Sequence, residues 1–85
     1  MAEIVVYSGP QCPYCVRAKD LFKRKGVAFT EYDVKSDTAR FEEMLAISNG
    51  RRTIPQIFIN GQHIGGCDDL YALDAKGGLD PLLGA

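Results

Sequence analysis

The sequence predicts an α/β fold in which a parallel β-α-β unit is joined to an antiparallel hairpin and a closing helix, giving one sheet with helices on both faces. Three observations carry this. Ile4 to Tyr7 is a continuous apolar, β-branched run, as a central strand covered on both faces requires. Apolar residues then recur at helical spacing in three separate segments. Asn60-Gly61, the pair that best tolerates the positive φ angles of a two-residue turn, separates two short apolar stretches.

Taken in order, Ser8-Gly9-Pro10-Gln11 breaks the first strand, and Cys12 follows directly. From Pro13 to Lys25, the positions Cys15, Ala18, Leu21 and Phe22 form a helical stripe, with Arg17, Lys19, Lys23 and Arg24 on the other side. Pro13 suits the first helical position and Gly26 the stop. Lys23-Arg24-Lys25 complements the helix dipole and needs no binding role. Val27 to Val34 carries Phe29, Tyr32 and Val34 among polar residues and reads as a second strand. A second helix is expected to begin at Ser36 or Asp37, both good caps, to present Phe41, Met44, Leu45 and Ser48 on one face, and to end by Asn49-Gly50. Gln56 to Asn60 and Gln62 to Ile64 form the hairpin. After Gly65-Gly66, the segment Cys67 to Lys76 has Leu70, Tyr71 and Leu73 on a helical stripe that Gly77-Gly78 ends. Leu79 to Ala85 reads as a short tail.

Eighty-five residues, 46% of them apolar, predict one domain over positions 1–85, because a chain of this size buries only about 60% of the surface its unfolded form exposes. Ten basic against eleven acidic side chains leave a formal charge of -1, which gives no electrostatic reason to bind nucleic acid or an anionic membrane. The apolar run after Met1 has no basic segment before it and is too short for a signal-peptide core or a membrane span, so a cytoplasmic protein is expected. Three cysteines are too few for a disulfide framework. Two of them, Cys12 and Cys15, sit at a spacing used for redox or metal chemistry.

Residues three apart on a helix are neighbours, so these two sulfurs can come within disulfide reach. Cys12 lies just before the first helical turn, where the unpaired amides of Tyr14 and Cys15 and the positive end of the dipole favour a thiolate. Cysteines in such places have pKa values lowered to roughly 3.5 to 7.5. Cys12 is therefore the candidate nucleophile. Cys15, one turn further in and on the apolar face, is placed to resolve a mixed disulfide, and Pro13 between them restricts the backbone. A zinc site completed by His63 and Cys67 is the alternative, but structural zinc needs four ligands held closed, and this pair opens a helix after a strand. No bound metal is expected. Cys67 otherwise reads as a small buried residue and His63 as a surface strand residue.

Cys12-Pro13-Tyr14-Cys15, Thr53-Ile54-Pro55 and Gly65-Gly66-Cys67-Asp68-Asp69, in this order, resemble the dithiol glutaredoxins, and the likeness to short bacterial members runs essentially end to end. The resemblance implies a thioredoxin-like fold with a four-stranded mixed sheet and a cis peptide bond before Pro55. It implies a glutathione-dependent enzyme that removes glutathione from mixed disulfides and reduces protein disulfides, with ribonucleotide reductase among the substrates and the monomer as the working form. The backbone of Ile54 would pair with bound glutathione as an added strand does. The γ-glutamyl carboxylate would rest on amides at Cys67 and Asp68, a helix start with Gly66 before it that leaves room for close approach. Asp68 would meet the ligand's ammonium group or cap the helix. Tyr14 would cover the glutathione, and Thr53 would position the Pro55 loop.

One position departs from the pattern. Similar proteins carry a lysine three residues before the nucleophilic cysteine, facing glutathione's glycyl carboxylate; here that residue is Gly9. Arg51 and Arg52, just before the Pro55 loop, are the replacement candidates, since arginine suits a carboxylate through paired hydrogen bonds. Two other functions compete. A general dithiol reductase of the thioredoxin kind is disfavoured by the lack of Trp and by Tyr14 in place of the Gly-Pro pair of thioredoxins. An iron–sulfur or metal carrier is disfavoured by Pro13 and Cys15, where related carriers have Cys-Gly-Phe-Ser.

Overall fold

Apolar side chains alternate between two faces along the strands, and this alternation sets the layers of the structure, a computed structural model that describes residues 2–84. Strand β1 (Ile4–Ser8) is central. It runs parallel to β2 (Thr30–Asp33), with Ser8 opposite Asp33, and antiparallel to β3 (Gln56–Ile59), with Val6 opposite Ile57. Strand β4 (Gln62–Gly65) closes the hairpin with β3, so the sheet order is β2-β1-β3-β4. Asn60 and Gly61 have φ of 53° and 81°, the two positive values the turn demands. Helices α1 (Pro13–Arg24), α2 (Thr38–Ile47) and α3 (Cys67–Ala75) follow the expected order.

On one face, Ile4, Val6, Ile57 and Ile59 pack with Ala18, Leu21 and Phe22 of α1 and Leu70 of α3. On the other, Tyr7 and Phe58 pack with Val34 and with Met44 of α2. The unbroken run at β1 is thus buried on both sides, as its composition requires. Asp37 caps α2 through its carboxylate, which accepts the Arg40 N–H at 3.2 Å. Met44 and Ser48 are buried on that helix.

Two expectations are corrected. The second strand begins at Thr30, not Val27, because the Val27 N–H is held by the Phe22 carbonyl at 3.2 Å and stays tied to the end of α1. The tail is not irregular: Leu79–Leu83 form a fourth helix, α4. Leu79 and Leu83, one turn apart, are buried in the α1/α3 face. Lys25 at the end of α1 reaches Asp74 of α3 at 2.7 Å and Asp80 of α4 at 2.9 Å. Ala85 lies outside the described residues. The peptide bond between Ile54 and Pro55 is cis, and no helix among the described residues is long and apolar enough to cross a membrane.

Candidate active site

Cys12 has extended backbone angles (φ −117°, ψ 98°) and is the N-cap of α1, with Pro13 as the first helical residue. Its sulfur accepts the Cys15 N–H at 3.2 Å, so Cys12 itself takes one of the donors that a helix start leaves unpaired. Cys15 is buried among the α1 core residues and is joined to Cys12 as a disulfide, with the two Cα atoms 5.2 Å apart. The pair therefore combines a partly exposed sulfur at a helix end with a buried partner one turn below it.

Beside the pair, three segments distant in sequence enclose an open cleft of about 250 Å³. Tyr14 forms one side and is 54% exposed, so its ring is available to a ligand. The guanidinium of Arg17 lies 5.9 Å from the Tyr14 ring and 5.5 Å from the Tyr71 ring, which steadies the aromatic from behind. Thr53, Ile54 and Pro55 form the second side, and Gly66, Cys67, Asp68 and Asp69 the third.

The third side is the N-terminus of α3. The Gly66 N–H is accepted by the Asp69 carboxylate at 2.9 Å, so Asp69 caps the helix and Asp68 is left exposed on the cleft. Of the two roles expected for Asp68, the ligand's ammonium group and the cap, the cap thus falls to Asp69, three residues after the N-cap, the position from which an acidic side chain reaches back to the N-cap amide. Gly65 has φ 120°, and a Cβ there would run into the Asp69 carboxylate, so the cap depends on a glycine at this position. Cys67 is buried, and burial pushes its thiol pKa up, although Arg17 draws it down. A raised pKa makes it a poor nucleophile beside Cys12.

The second side is held by a residue that sequence reading passed over. Gln56 is fully buried, and its amide NH₂ donates to both oxygens of Thr53, the carbonyl at 2.9 Å and the hydroxyl at 3.1 Å. Its Oε1 meets His63 Nε2 at 2.7 Å. A glutamine inside an otherwise apolar strand was the available signal, since a buried amide must find partners. His63 is half-buried rather than a plain surface residue, with its ring stacked on Phe58 at 4.8 Å. Burial, and then the nearby Arg51 charge, hold its pKa below the usual histidine value.

The two arginines diverge. Arg51 lines the cleft at the α3 end, 3.7 Å from the Asp69 carboxylate. Arg52 lies over the Phe41 ring at 5.7 Å and is not among the cleft-lining side chains. Among the described residues, no three His, Cys, Asp or Glu side chains gather at metal-ligand spacing.

A cysteine pair at a helix start, a cis proline loop and a second helix N-terminus stand around one cleft, an arrangement suited to thiol exchange. Residues 4–64 match the family model described as Glutaredoxin. The chain belongs to the glutaredoxin family. Glutaredoxins are glutathione-dependent thiol–disulfide oxidoreductases, and this one carries the dithiol pair. It is 60% identical over 83 residues to Glutaredoxin 3 of Escherichia coli, covering 98% of this chain and 99% of that one. A probable glutaredoxin of Synechocystis is 57% identical, with 96% of this chain and 93% of the relative covered. Among solved glutaredoxins, the one from Brucella melitensis superposes with a TM-score of 0.84 at 51% identity, covering 98% of this chain and 89% of that one. The buckwheat glutaredoxin–glutathione complex superposes with a TM-score of 0.86 at 35% identity over 96% of this chain and 76% of the other.

Proposed function

We propose that Cys12 is the nucleophile of a glutathione-dependent cycle in which the cleft beside it holds glutathione. The carrying observation is the position of the Cys12 sulfur at the head of α1, within bonding distance of buried Cys15 and next to a cleft that ends on a second helix N-terminus. The Cys12 thiolate attacks the glutathione sulfur of a glutathionylated substrate. The substrate leaves as a thiolate that takes up a proton, and Cys12 is left bonded to glutathione. A second glutathione thiolate attacks that bond, releasing oxidised glutathione and restoring the Cys12 thiolate. With a protein disulfide, Cys12 bonds one substrate sulfur and Cys15 displaces it, forming the Cys12–Cys15 disulfide and leaving the substrate reduced.

In this reading the γ-glutamyl carboxylate rests on the Cys67 and Asp68 amides, behind Gly66. Exposed Asp68 takes the ligand's ammonium group, and the Ile54 backbone before Pro55 pairs with the peptide. Tyr14 covers the ligand, Thr53 is fixed by Gln56, and Arg51 adds positive charge at the α3 end. Arg52 is not carried into the reading, given its place over Phe41. The protein works as a single domain over 1–85 and as a monomer in the cytoplasm, without bound metal. Its substrates are glutathionylated and disulfide-containing proteins, ribonucleotide reductase among them.

Comparison of Cys12→Ser with Cys15→Ser tests the division of labour. The first is expected to abolish turnover of both a glutathionylated peptide and a protein disulfide. The second keeps deglutathionylation and loses most protein-disulfide reduction. Equal losses in the two variants would sink the assignment.

A further inference from the structure

Gly9 and Lys35 occupy one space. A Cβ built on Gly9 would stand 2.7 Å from Cγ of Lys35 and 3.7 Å from its Cε, so the aliphatic stem of Lys35 crosses the position where any other residue would put its side chain. The crossing is fixed by backbone. The Val34 N–H donates to the Ser8 carbonyl at 2.9 Å, carrying the β1–β2 pairing one step beyond the strand. The Lys35 N–H then donates to the Asp33 carboxylate at 2.9 Å, which sets the turn leaving β2.

The crossing lies beside the site. Pro10 and Gln11, the latter at φ 54°, form a turn between Gly9 and Cys12, and the end residues of such a turn lie within about 7 Å of each other. The same built Cβ is 3.0 Å from Cδ1 of Ile54, whose side chain lines the cleft. Lys35 thus lies along the Ile54 side of the site. Its side chain is exposed, and it forms no ion pair with any of the described residues. The cation that lines the cleft itself, Arg51, sits at the α3 end beside Asp69.

We propose that Lys35, seated across Gly9, is the binding residue for the second carboxylate of glutathione, the glycyl one. This rests on the reading above: with the γ-glutamyl end on α3 and the middle of the tripeptide along Ile54, the glycyl carboxylate emerges on the side where Lys35 is the free cation. Gly9 is the seat of that cation, and its missing side chain is what lets a lysine from the turn after β2 reach the site.

The test compares a peptide carrying glutathione with the same peptide carrying glutathione esterified at the glycyl carboxylate. Lys35→Ala is expected to raise KM for the first by roughly two- to fivefold, the range of a solvent-exposed ion pair, with kcat kept and the esterified peptide unaffected. Lys35→Arg keeps the parental KM. Adding Gly9→Lys to Lys35→Ala restores it, because the new side chain enters the space the old stem vacates. An unchanged KM in Lys35→Ala, or an equal rise for both peptides, overturns the proposal. Failure of the underlying reading shows separately, in the parent chain, as no turnover of either peptide.

Discussion

At the scale of single residues, the site depends on side chains whose polar atoms are fully committed. Gln56 is an example: its amide donates to Thr53 on one side, so its remaining oxygen must accept, and His63 must present Nε2 as N–H. That arrangement makes His63 a pH-sensitive part of the fold. Its folded-state pKa is depressed, first by burial and then by Arg51. The unfolded chain takes up a proton near 6.5; the folded chain does so only at lower pH. The stabilising contribution is therefore complete above about pH 6.5 and is lost as pH falls through that value towards the folded one. Urea midpoints at about pH 7.5 and about pH 5.5 should fall further in the parent than in His63→Asn. Equal falls would place the acid sensitivity elsewhere. The Cys12-Pro13-Tyr14-Cys15 chemistry was legible in the sequence because spacing and helix position define it locally. The roles of Gln56 and Asp69 were not, because each depends on what a distant or turning backbone offers to a polar group.

At the scale of elements, periodicity located three helices and four strands, and the errors fell where an element is short. Helix α4 has five residues with Pro81 inside it, between glycines, and so lacks the length from which a helical pattern is read. Its only local signal is Leu79 and Leu83 one turn apart. Packing makes the helix: both leucines enter the α1/α3 core, where burial outweighs weak intrinsic propensity. Leu79→Ala is expected to lower unfolding free energy by about 2–5 kcal/mol, while Asp80→Asn, at a half-exposed ion pair with Lys25, costs under about 1 kcal/mol. Denaturant melts of the two variants check the order; a reversal would mean that the charge, not the leucine, docks α4. The cis bond before Pro55 was reached through resemblance alone, since nothing local to Ile54-Pro55 specifies it.

At the scale of the whole molecule, the two faces of the sheet are unequally covered. One carries α1, α3 and α4, tied together by the buried core and by Lys25; the other carries α2 alone. The cleft draws Tyr14 and Asp68 from the first set, whereas Arg51 and Thr53 follow α2 in the chain. Elements that share few buried contacts open more readily than those held by many. Amide hydrogens of α2 should therefore exchange with solvent deuterium through partial openings, while those of β1 and α1 await global unfolding. Uniform exchange by mass spectrometry or NMR would show that the two faces open as one unit. An unequal pattern would give the enzyme a steady jaw, which holds the sulfurs at a fixed spacing, and a breathing one, which admits and releases the tripeptide without disturbing them.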